Sequence, residues 1–193
     1  MKVGILDFAD GGNLYSIKKS LDRLDCDTEV VRSFDGIDKL VIPGVGAFSD
    51  AAEAIEPFRE EIKEFSKSNH VLGICLGMQL LCNKGFEFGE HDGLGLLEGE
   101  CVKINTNLPL PHIGWNGLSA IRDSRLLRGL EESSFYFMHS YEVINYTDSV
   151  ALSGYGNHRF VSVVENGNVF GVQFHPEKSG ESGLKLFENF IGA

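Results

Sequence analysis

Five residues, Gly73-Ile74-Cys75-Leu76-Gly77, constrain the fold of this chain more than any other segment. They join an apolar run, HVLGIC at 70–75, to a short helical pattern, LGMQLLC at 76–82. This is the arrangement of a nucleophile elbow, in which a strand turns sharply into a helix and lifts one side chain out of the sheet. Glycine on both sides permits the strained turn. The segment therefore favours an α/β fold with Cys75 as a nucleophile.

A buried structural cysteine beside a turn explains the same five residues equally well, and this is our interpretation of Cys26, Cys82 and Cys101. Gln79 shifts the balance for Cys75. It lies four residues further on, one helical turn along the same face, so a polar amide follows the thiol into the same space. A thiol at the start of a helix also meets the positive end of that helix, which favours the thiolate.

Outside this elbow the hydrophobic pattern changes halfway along the chain. The first half alternates strand-like runs at 2–7, 28–31, 39–44 and 70–75 with helical patterns at 14–24, 48–67 and 76–82. The second half consists of short alternating runs at 100–105, 135–143, 149–155 and 160–175, closed by a helix over 180–191 with a stripe of Leu184, Phe187 and Phe190. Asn13 is suited to cap the first helix, and Asn166-Gly167 predicts a hairpin.

This order of elements predicts the fold class. Strands that alternate with helices, followed by antiparallel strands, are typical of an α/β fold with a central, largely parallel mixed sheet and an antiparallel extension. The 193 residues are enough for one sizeable core, and no linker or repeat divides them. We expect a single domain over 1–193.

Composition and charge exclude several classes of protein. With 17 Lys and Arg against 28 Asp and Glu the net charge is −11, which leaves no cationic surplus for nucleic acid or an anionic membrane. No run approaches the ~20 apolar residues of a membrane span, and the first apolar run stops at Asp7, too early for a signal peptide. The four cysteines lack C-x-x-C and metal-like spacing with histidine. We expect a reduced, cytoplasmic protein that binds no metal.

A thiol nucleophile needs a base, and His175 is the histidine with the best-placed orienting partner. Pro176 forces His175 into an extended conformation, so Glu177, two residues on, points to the same side and can reach the imidazole. That carboxylate would fix the tautomer and the ring orientation. A strand-end histidine in an ordinary turn is the alternative for this triplet alone. His139, in FYFMHSY, is the competing base and has no carboxylate two residues on.

An oxyanion hole is the third requirement of this chemistry. The turn Pro43-Gly44-Val45-Gly46 follows a buried strand, and its two glycines permit a backbone amide to be exposed or turned over. The N–H of Leu76, directly after the nucleophile, is the second expected donor. A plain strand-end turn explains the 43–46 motif equally well.

Five segments together indicate a family: PGVGAF, GICLGMQLL, PHIGWN, FYFMHSY and QFHPEKSG, in that order. With them the chain resembles the class I glutamine amidotransferases, and in particular the glutaminase subunits of imidazole glycerol phosphate synthases, over nearly its whole length. The resemblance implies the three-layer fold of that family and hydrolysis of L-glutamine to glutamate and ammonia without a cofactor.

The resemblance also implies roles for individual residues. The catalytic triad would be Cys75, His175 and Glu177, with oxyanion-hole amides from Val45 and Leu76. The substrate contacts would be Gln79, Glu87 and Ser140, and the partner interface Trp115, Asn116, Tyr136 and Lys178. In this family the ammonia passes to a (β/α)8 synthase subunit, which forms imidazole glycerol phosphate and an aminoimidazole carboxamide ribotide in histidine biosynthesis. We therefore expect a heterodimer with such a subunit.

Three segments depart from the family pattern. The first turn, 7–14, is one residue longer and more acidic than usual, residues 83–92 are rich in Phe, Gly and Glu, which bears on Glu87, and Glu142 stands where tyrosine is common. One alternative is therefore a paralogous amidotransferase for a barrel synthase that makes amino sugars or cell-surface polysaccharide. A cysteine hydrolase or glyoxalase-like enzyme is another alternative, but Gln79 and the His-Pro-Glu triplet argue against it. A catalytically idle binding or regulatory subunit would normally have lost a triad residue.

Overall fold

The computed structural model of the protein describes residues 1–8 and 13–193. The predicted lengthening of the first turn involves residues 9–12 and lies outside the described residues. Within those ranges the chain forms fourteen strands: β1 (Lys2–Leu6), β2 (Asp27–Val31), β3 (Lys39–Ile42), β4 (His70–Ile74), β5 (Lys84–Gly85), β6 (His91–Asp92), β7 (Glu100–Lys103), β8 (His112–Gly117), β9 (Ser119–Ala120), β10 (Ser134–His139), β11 (Tyr141–Ile144), β12 (Ser149–Tyr155), β13 (His158–Asn166) and β14 (Val169–Val172).

The same ranges contain five α-helices: α1 (Leu14–Leu21), α2 (Phe48–Ile55), α3 (Arg59–Ser66), α4 (Leu76–Leu80) and α5 (Gly180–Gly192). Single turns of 3-10 helix lie at Asp22–Leu24, Glu56–Phe58 and Pro176–Lys178. Pro57 separates α2 from α3, as predicted, because proline fits the first turn of a helix and not its interior. Among the described residues, none of the helices is long and apolar enough to cross a membrane.

The centre of the fold is an eight-stranded sheet in the order β2-β1-β3-β4-β14-β13-β12-β9. The first five strands run parallel to one another, and the last three are added antiparallel. β3 and β4 are buried along almost their whole length, as expected of parallel strands that are covered on both faces. The predicted mixed sheet with an antiparallel extension is confirmed.

Helices cover both faces of this sheet and complete three layers. On one face α1 and α5 bury Ile17 and Phe187 against strand residues such as Phe170. On the other face α2, α3 and α4 form a second apolar cluster that includes Phe48 and Ile62. The carboxyl ends of β3, β4 and β14 therefore come together at one edge, where the turn 43–46, Cys75 and the 173–177 segment follow them.

The predicted single strand over 135–143 is wrong. It is two strands in two small sheets, because β10 pairs with β8 whereas β11 joins β7, β5 and β6. The break falls at Ser140, where the chain leaves one sheet for the other. Both halves keep the alternating pattern of a half-buried strand, so the pattern alone does not reveal the change of sheet.

Two smaller predictions also need correction. The predicted hairpin joins β13 to β14, but Asn166 pairs with Val169, so its two-residue loop is Gly167-Asn168. The buried stripe of α5 does not include the predicted Leu184, which is half-buried; its members are Gly183, Leu186, Phe187 and Phe190. The helix lies so close to the turn at 176–178 that a Cβ at position 183 would overlap the Pro176 carbonyl oxygen, and this contact turns residue 183 inward.

Candidate active site

Cys75 lies at the turn between β4 and α4 with φ +54° and ψ −108°. Residues with a side chain rarely adopt such a conformation. A Cβ on Gly77 would overlap the carbonyl oxygen of Ile42, and a Cβ on Gly73 would lie 2.6 Å from the oxygen of Gly77. Both glycines of the elbow are therefore required for α4 to lie against the ends of β3 and β4.

The helix after Cys75 contributes less to the site than the sequence suggested. α4 has five residues, and little more than one turn aligns too few peptide dipoles to place much positive charge at its N-terminus. A thiolate at Cys75 therefore depends mainly on neighbouring side chains.

His175 and Glu177 are buried side by side, with His175 Nδ1 2.8 Å from Glu177 Oε1. His175 is extended, as Pro176 requires, but Glu177 lies in the 3-10 turn Pro176–Lys178 and not in the predicted extended chain. The Glu177 carboxylate only accepts hydrogen bonds, so in the neutral ring of His175 the proton is on Nδ1. Nε2 is therefore the nitrogen that can take up a further proton. Carboxylate and imidazole therefore have the orientation that a base requires.

The charges around His175 favour its protonated form. Burial lowers the pKa of the imidazole, but the Cys75 thiolate and the Glu177 carboxylate outweigh burial and raise the pKa of His175 to about 10. Among the described residues, Nε2 is buried without a well-aligned hydrogen bond, Cys75 being its close neighbour. The raised pKa of His175 favours transfer of the Cys75 thiol proton to the imidazole.

Asn13 belongs to this group, although the sequence indicated only a helix cap at this position. Its Nδ2 donates to Glu177 Oε1 at 2.7 Å, so the oxygen that orients His175 is held by a second donor. Asn13 stands at the N-cap position of α1, but the predicted capping is wrong because its side chain makes no capping hydrogen bond. An asparagine before a helix has the pattern of a cap, so nothing in the sequence pointed to this distant partner.

A cavity of about 180 Å³ opens beside the thiol. It is smaller than the roughly 300–1,000 Å³ of sites for drug-sized ligands and so suits a small metabolite. The predicted residues that line it are Val45, Cys75, Leu76, Gln79, Glu87, Ser140 and His175, and the competing base His139 lines it as well. The structure thus brings the candidate nucleophile, base, oxyanion donors and substrate contacts to one place, with Glu177 bonded to His175.

The turn at 43–46 uses its two glycines for different purposes. Gly46 has φ +109° and open space around it, which is the conformational freedom that the sequence predicted. Gly44 is instead a close approach, since a Cβ there would lie 2.8 Å from the Cβ of Leu76. Val45 stands between an unconstrained glycine and a packed one, directly beside the elbow.

Glu87 has a structural contact besides its place in the cavity. Its Oε2 accepts a hydrogen bond from the backbone N–H of Phe48 at 2.7 Å and so caps α2. The N-cap residue of that helix, Ala47, has no side chain able to do this. The Phe-, Gly- and Glu-rich segment around Glu87 is therefore tied to the helix that follows the 43–46 turn.

Gln79 and Gln173 form a buried amide pair next to the thiol. Gln79 Nε2 lies 3.1 Å from the Tyr141 carbonyl oxygen and 3.1 Å from Gln173 Oε1. Gln173 Nε2 in turn lies 3.6 Å from Cys75 Sγ. Sequence reasoning missed Gln173, although a signal was present: it lies two residues before His175 in the predicted run 160–175, and this spacing puts two side chains on the same side of an extended chain.

β8 and β10 form a two-stranded ribbon whose apolar face is exposed to solvent. Trp115 is 55% exposed and Ile113, on the same face, 56%. Tyr136 pairs with Trp115 across the ribbon, with ring centroids 6.0 Å apart, and Lys178 Nζ lies 5.8 Å from the Tyr136 ring. Three of the four predicted interface residues are therefore together, whereas Asn116 points to the opposite side.

Asn116 begins a chain of hydrogen bonds towards the interior. Its Nδ2 is 2.9 Å from His112 Nε2. His112 Nδ1 is 3.1 Å from His139 Nε2, and His139 Nδ1 is 2.8 Å from the Tyr141 carbonyl oxygen. A carbonyl only accepts, so each group donates to the next one inward. Both ring nitrogens of His139 are thus occupied, which argues against His139 as the base.

We expect His139 to make the fold sensitive to acid. Burial lowers the pKa of His139 to about 3, against about 6.5 in an unfolded chain. Between these pH values the unfolded state binds a proton that the folded state does not, so stability falls as the pH falls. At pH 5 the loss from this residue is about 2 kcal/mol relative to pH 8.

Urea unfolding of the wild type and of His139→Asn at pH 8 and pH 5 measures this loss. The carboxylates contribute to both proteins and cancel in the comparison. We expect the wild type to lose about 2 kcal/mol more than the variant on acidification. Equal losses in the two proteins would show that His139 takes up its proton without unfolding.

The chain has relatives among known proteins over nearly its whole length. Residues 5–193 match the family "Glutamine amidotransferase class-I". The imidazole glycerol phosphate synthase subunit HisH of Aquifex aeolicus is 44% identical, over 98% of this chain and 96% of the relative. The subunit of the same name from Wolinella succinogenes is 42% identical, over 97% of this chain and 98% of the relative.

Solved structures agree with the fold described above. A crystal structure of a glutamine amidotransferase has a TM-score of 0.77 at 21% identity, covering 98% of this chain and 97% of its own. The structure of PurLQS from Thermotoga maritima has a TM-score of 0.72 at 17% identity, covering 99% of this chain and 97% of its own. The three-layer fold expected from the sequence is confirmed.

Proposed function

The chain belongs to the class I glutamine amidotransferases, and from that membership we propose that it is the glutaminase subunit of an imidazole glycerol phosphate synthase in histidine biosynthesis. It hydrolyses L-glutamine to glutamate and ammonia, and a (β/α)8 synthase subunit consumes the ammonia. The observation on which the proposal depends is the Cys75 elbow and the buried His175–Glu177 pair at one small cavity.

The reaction starts with a proton transfer from Cys75 Sγ to His175 Nε2. The thiolate attacks the side-chain amide carbon of glutamine, and the N–H groups of Val45 and Leu76 stabilise the negative oxygen that forms. His175 then gives its proton to the nitrogen of the amide, and ammonia leaves behind a glutamyl thioester. Water attacks this thioester as His175 takes one of its protons, and glutamate departs as the proton returns to Sγ. Glu177 remains ionised throughout and holds the imidazole in place.

The substrate contacts follow from the hydrogen-bonding capacity of the cavity. Both N–H groups of Gln79 are already donated, to Tyr141 and to Gln173, so Gln79 has only its oxygen to offer to substrate. An oxygen accepts from an N–H of bound glutamine. The carboxylate of Glu87 suits the substrate ammonium, and Ser140 provides a further polar contact at the break between β10 and β11.

The partner surface is the exposed ribbon face with Trp115, Tyr136 and Lys178. An exposed tryptophan packed on a half-buried tyrosine and flanked by a cation is typical of a protein interface. The relatives from Aquifex and Wolinella are named as subunits of a synthase, which supports the existence of a partner. Their names also favour histidine biosynthesis over the amino-sugar alternative. Asn116 supports the ribbon from its other face.

The test of this function is ammonia release from glutamine by the chain alone and with candidate synthase subunits. Release that depends on Cys75 and rises with a histidine-pathway cyclase supports the proposal. Stimulation only by a barrel synthase that makes amino sugars would instead assign the chain to amino-sugar synthesis. We place the reaction in the cytoplasm, where thiols such as that of Cys75 stay reduced.

His175, and not His139, is expected to be the base. His175→Asn should stop turnover because the thiol loses the group that takes its proton. Glu177→Gln should leave a slower enzyme, because loss of an orienting group costs less than loss of the base. His139→Asn, which keeps a donor towards Tyr141, serves as the control and should stay active. Steady-state ammonia release compares all three, and an inactive His139→Asn beside an active His175→Asn would reverse the assignment.

A further inference from the structure

We propose that Gln173 is a further catalytic residue, whose side-chain N–H donates to the Cys75 sulfur and stabilises the thiolate. The inference rests on the proposed function only in taking Cys75 as the nucleophile. None of the roles set out above requires Gln173, and yet it is the fully buried amide nearest to the reacting atom.

The strand register places Gln173 beside the nucleophile. β14 runs parallel to β4 with Val172 opposite Ile74, so the residues that directly follow the two strands, Gln173 and Cys75, are neighbours at the same edge. The backbone N–H of Cys75 donates to the Val172 carbonyl at 2.8 Å and fixes this register. The distance of 3.6 Å from Gln173 Nε2 to Sγ is within the range of a hydrogen bond to sulfur.

The orientation of the Gln173 amide is determined by its neighbours. The Tyr141 carbonyl only accepts, so the Gln79 amide must present Nε2 to it. The second N–H of that nitrogen points to Gln173, which must therefore offer its oxygen in return. Only Nε2 of Gln173 is then left to face Sγ. The Tyr141 carbonyl thus orients Gln79, and Gln79 orients Gln173, so that Gln173 presents a donor to the sulfur.

A donor in this position discriminates between the two states of the sulfur. A thiol accepts a hydrogen bond weakly, whereas a hydrogen bond to a charged acceptor is roughly twice as strong as one between neutral groups. The site needs such a donor because α4 is short and because the carboxylate of Glu87 lines the same cavity as the thiol. Gln173 is neutral and fully buried, so water does not weaken its contribution.

The proton balance of the step is simple. The thiol proton moves from Sγ to His175 Nε2, and Gln173 keeps both of its own hydrogens. Its N–H···S contact is strengthened as the negative charge develops. Gln173 therefore lowers the free energy of the ion pair without taking part in proton transfer.

Two substitutions separate this role from a structural one. Gln173→Glu keeps the shape and the oxygen that Gln79 needs, but replaces the donor at Sγ with an anionic oxygen. Gln173→Met removes the donor and the Gln79 contact without adding charge. In variants that thermal unfolding shows to be folded, a purely structural role predicts unchanged reactivity of the Cys75 thiol, whereas thiolate stabilisation predicts a loss in both variants and a larger loss with the carboxylate. Ser162→Ala is the matched control. The backbone carbonyl of Ser162 accepts from the backbone N–H of Gln173, and the substitution keeps this contact. The Ser162 hydroxyl that it removes has no hydrogen-bond partner among the described residues.

The measurement is the rate of Cys75 alkylation by iodoacetamide at pH 8.5, followed on the Cys75 peptide by mass spectrometry, with thermal unfolding as the check of folding. We expect a decrease of about 10-fold in Gln173→Met and more in Gln173→Glu, with Ser162→Ala within twofold of the wild type. In the glutaminase assay kcat should fall in the same order while KM changes less than about threefold.

Three results would overturn the inference. They are alkylation of folded Gln173→Met within twofold of the wild type, a Glu variant as reactive as the wild type, and a rise in KM without a loss of thiol reactivity. The last would assign Gln173 to substrate binding through Gln79. Alkylation requires neither glutamine nor a partner, so a wild-type chain that releases no ammonia even with a synthase subunit would refute the proposed function and leave this test intact.

Discussion

Replacing Cys75 with serine is expected to reduce ammonia release from glutamine to below a few percent of the wild-type rate while the fold stays intact. The site is arranged for a thiolate: the pKa of His175 is raised by the neighbouring sulfur and Glu177 against the effect of burial. A hydroxyl gives up its proton far less readily than a thiol and is a weaker nucleophile here. Steady-state glutaminase assays on Cys75→Ser and Cys75→Ala measure the loss.

The control for this experiment is another cysteine. Cys26 is half-buried and its thiol lies 3.4 Å from the Leu21 carbonyl, far along the chain from the cavity. Cys26→Ser should change stability at most. Cys82 is also unsuited to act as a nucleophile, because burial raises the pKa of its thiol to about 12. A Cys75→Ser protein that kept more than a few percent of the activity would refute the triad.

The second large effect that we expect is stimulation by the synthase partner. A glutaminase that hydrolysed glutamine without its partner would waste both glutamine and ammonia, so the isolated chain should be nearly idle. The Val45 N–H belongs to the peptide between Gly44 and Val45, and glycine at position 44 lets this peptide turn over at low steric cost to present or withdraw that N–H. Loss of one oxyanion donor typically costs ~10²–10³ in rate. We expect the complex to be faster by that factor.

The assay is steady-state ammonia release by the purified chain, then with the ligand-bound synthase partner. Trp115→Ala should weaken the stimulation, because this half-exposed side chain is the largest apolar group on the proposed docking face. Equal rates with and without the partner would exclude gating and would indicate a free-standing hydrolase.

The parts of the site that the sequence predicted are those that depend on local geometry. The glycines at 73 and 77 indicated a tight turn, and Pro176 indicated an extended His175, because each residue restricts its own backbone or that of its neighbour. The parallel strands were evident for a similar reason, since β3 and β4 are almost uninterrupted apolar runs. Local restrictions of this kind depend only on neighbouring residues.

The parts that the sequence did not predict depend on contacts between distant segments. Asn13 bonds to Glu177, Gln173 is fixed through Gln79, and the chain changes sheets at Ser140. Hydrophobic periodicity reports which side of an element is buried, but not which polar group lies on the other side of the core.

Glu142, the residue that departs from the family pattern, shows the same limit. It is buried, and its Oε1 lies 2.8 Å from His158 Nε2, at the start of β13. The departure is therefore matched by a partner sixteen residues away. A buried carboxylate needs a specific polar partner, but the strand pattern around Glu142 does not identify which residue that partner is.

The Tyr141 carbonyl limits which segments of this protein can be exchanged with those of a related amidotransferase. One oxygen accepts from His139, at the end of the chain that begins at Asn116 on the ribbon, and from Gln79, which holds the amide beside the nucleophile. A chimaera that borrowed the ribbon of another amidotransferase to acquire a new synthase would also replace the imidazole that shares this acceptor. The proposed docking ribbon and the amide beside the thiol are therefore coupled through one acceptor, and a working graft has to keep at position 139 a group that donates to the Tyr141 carbonyl.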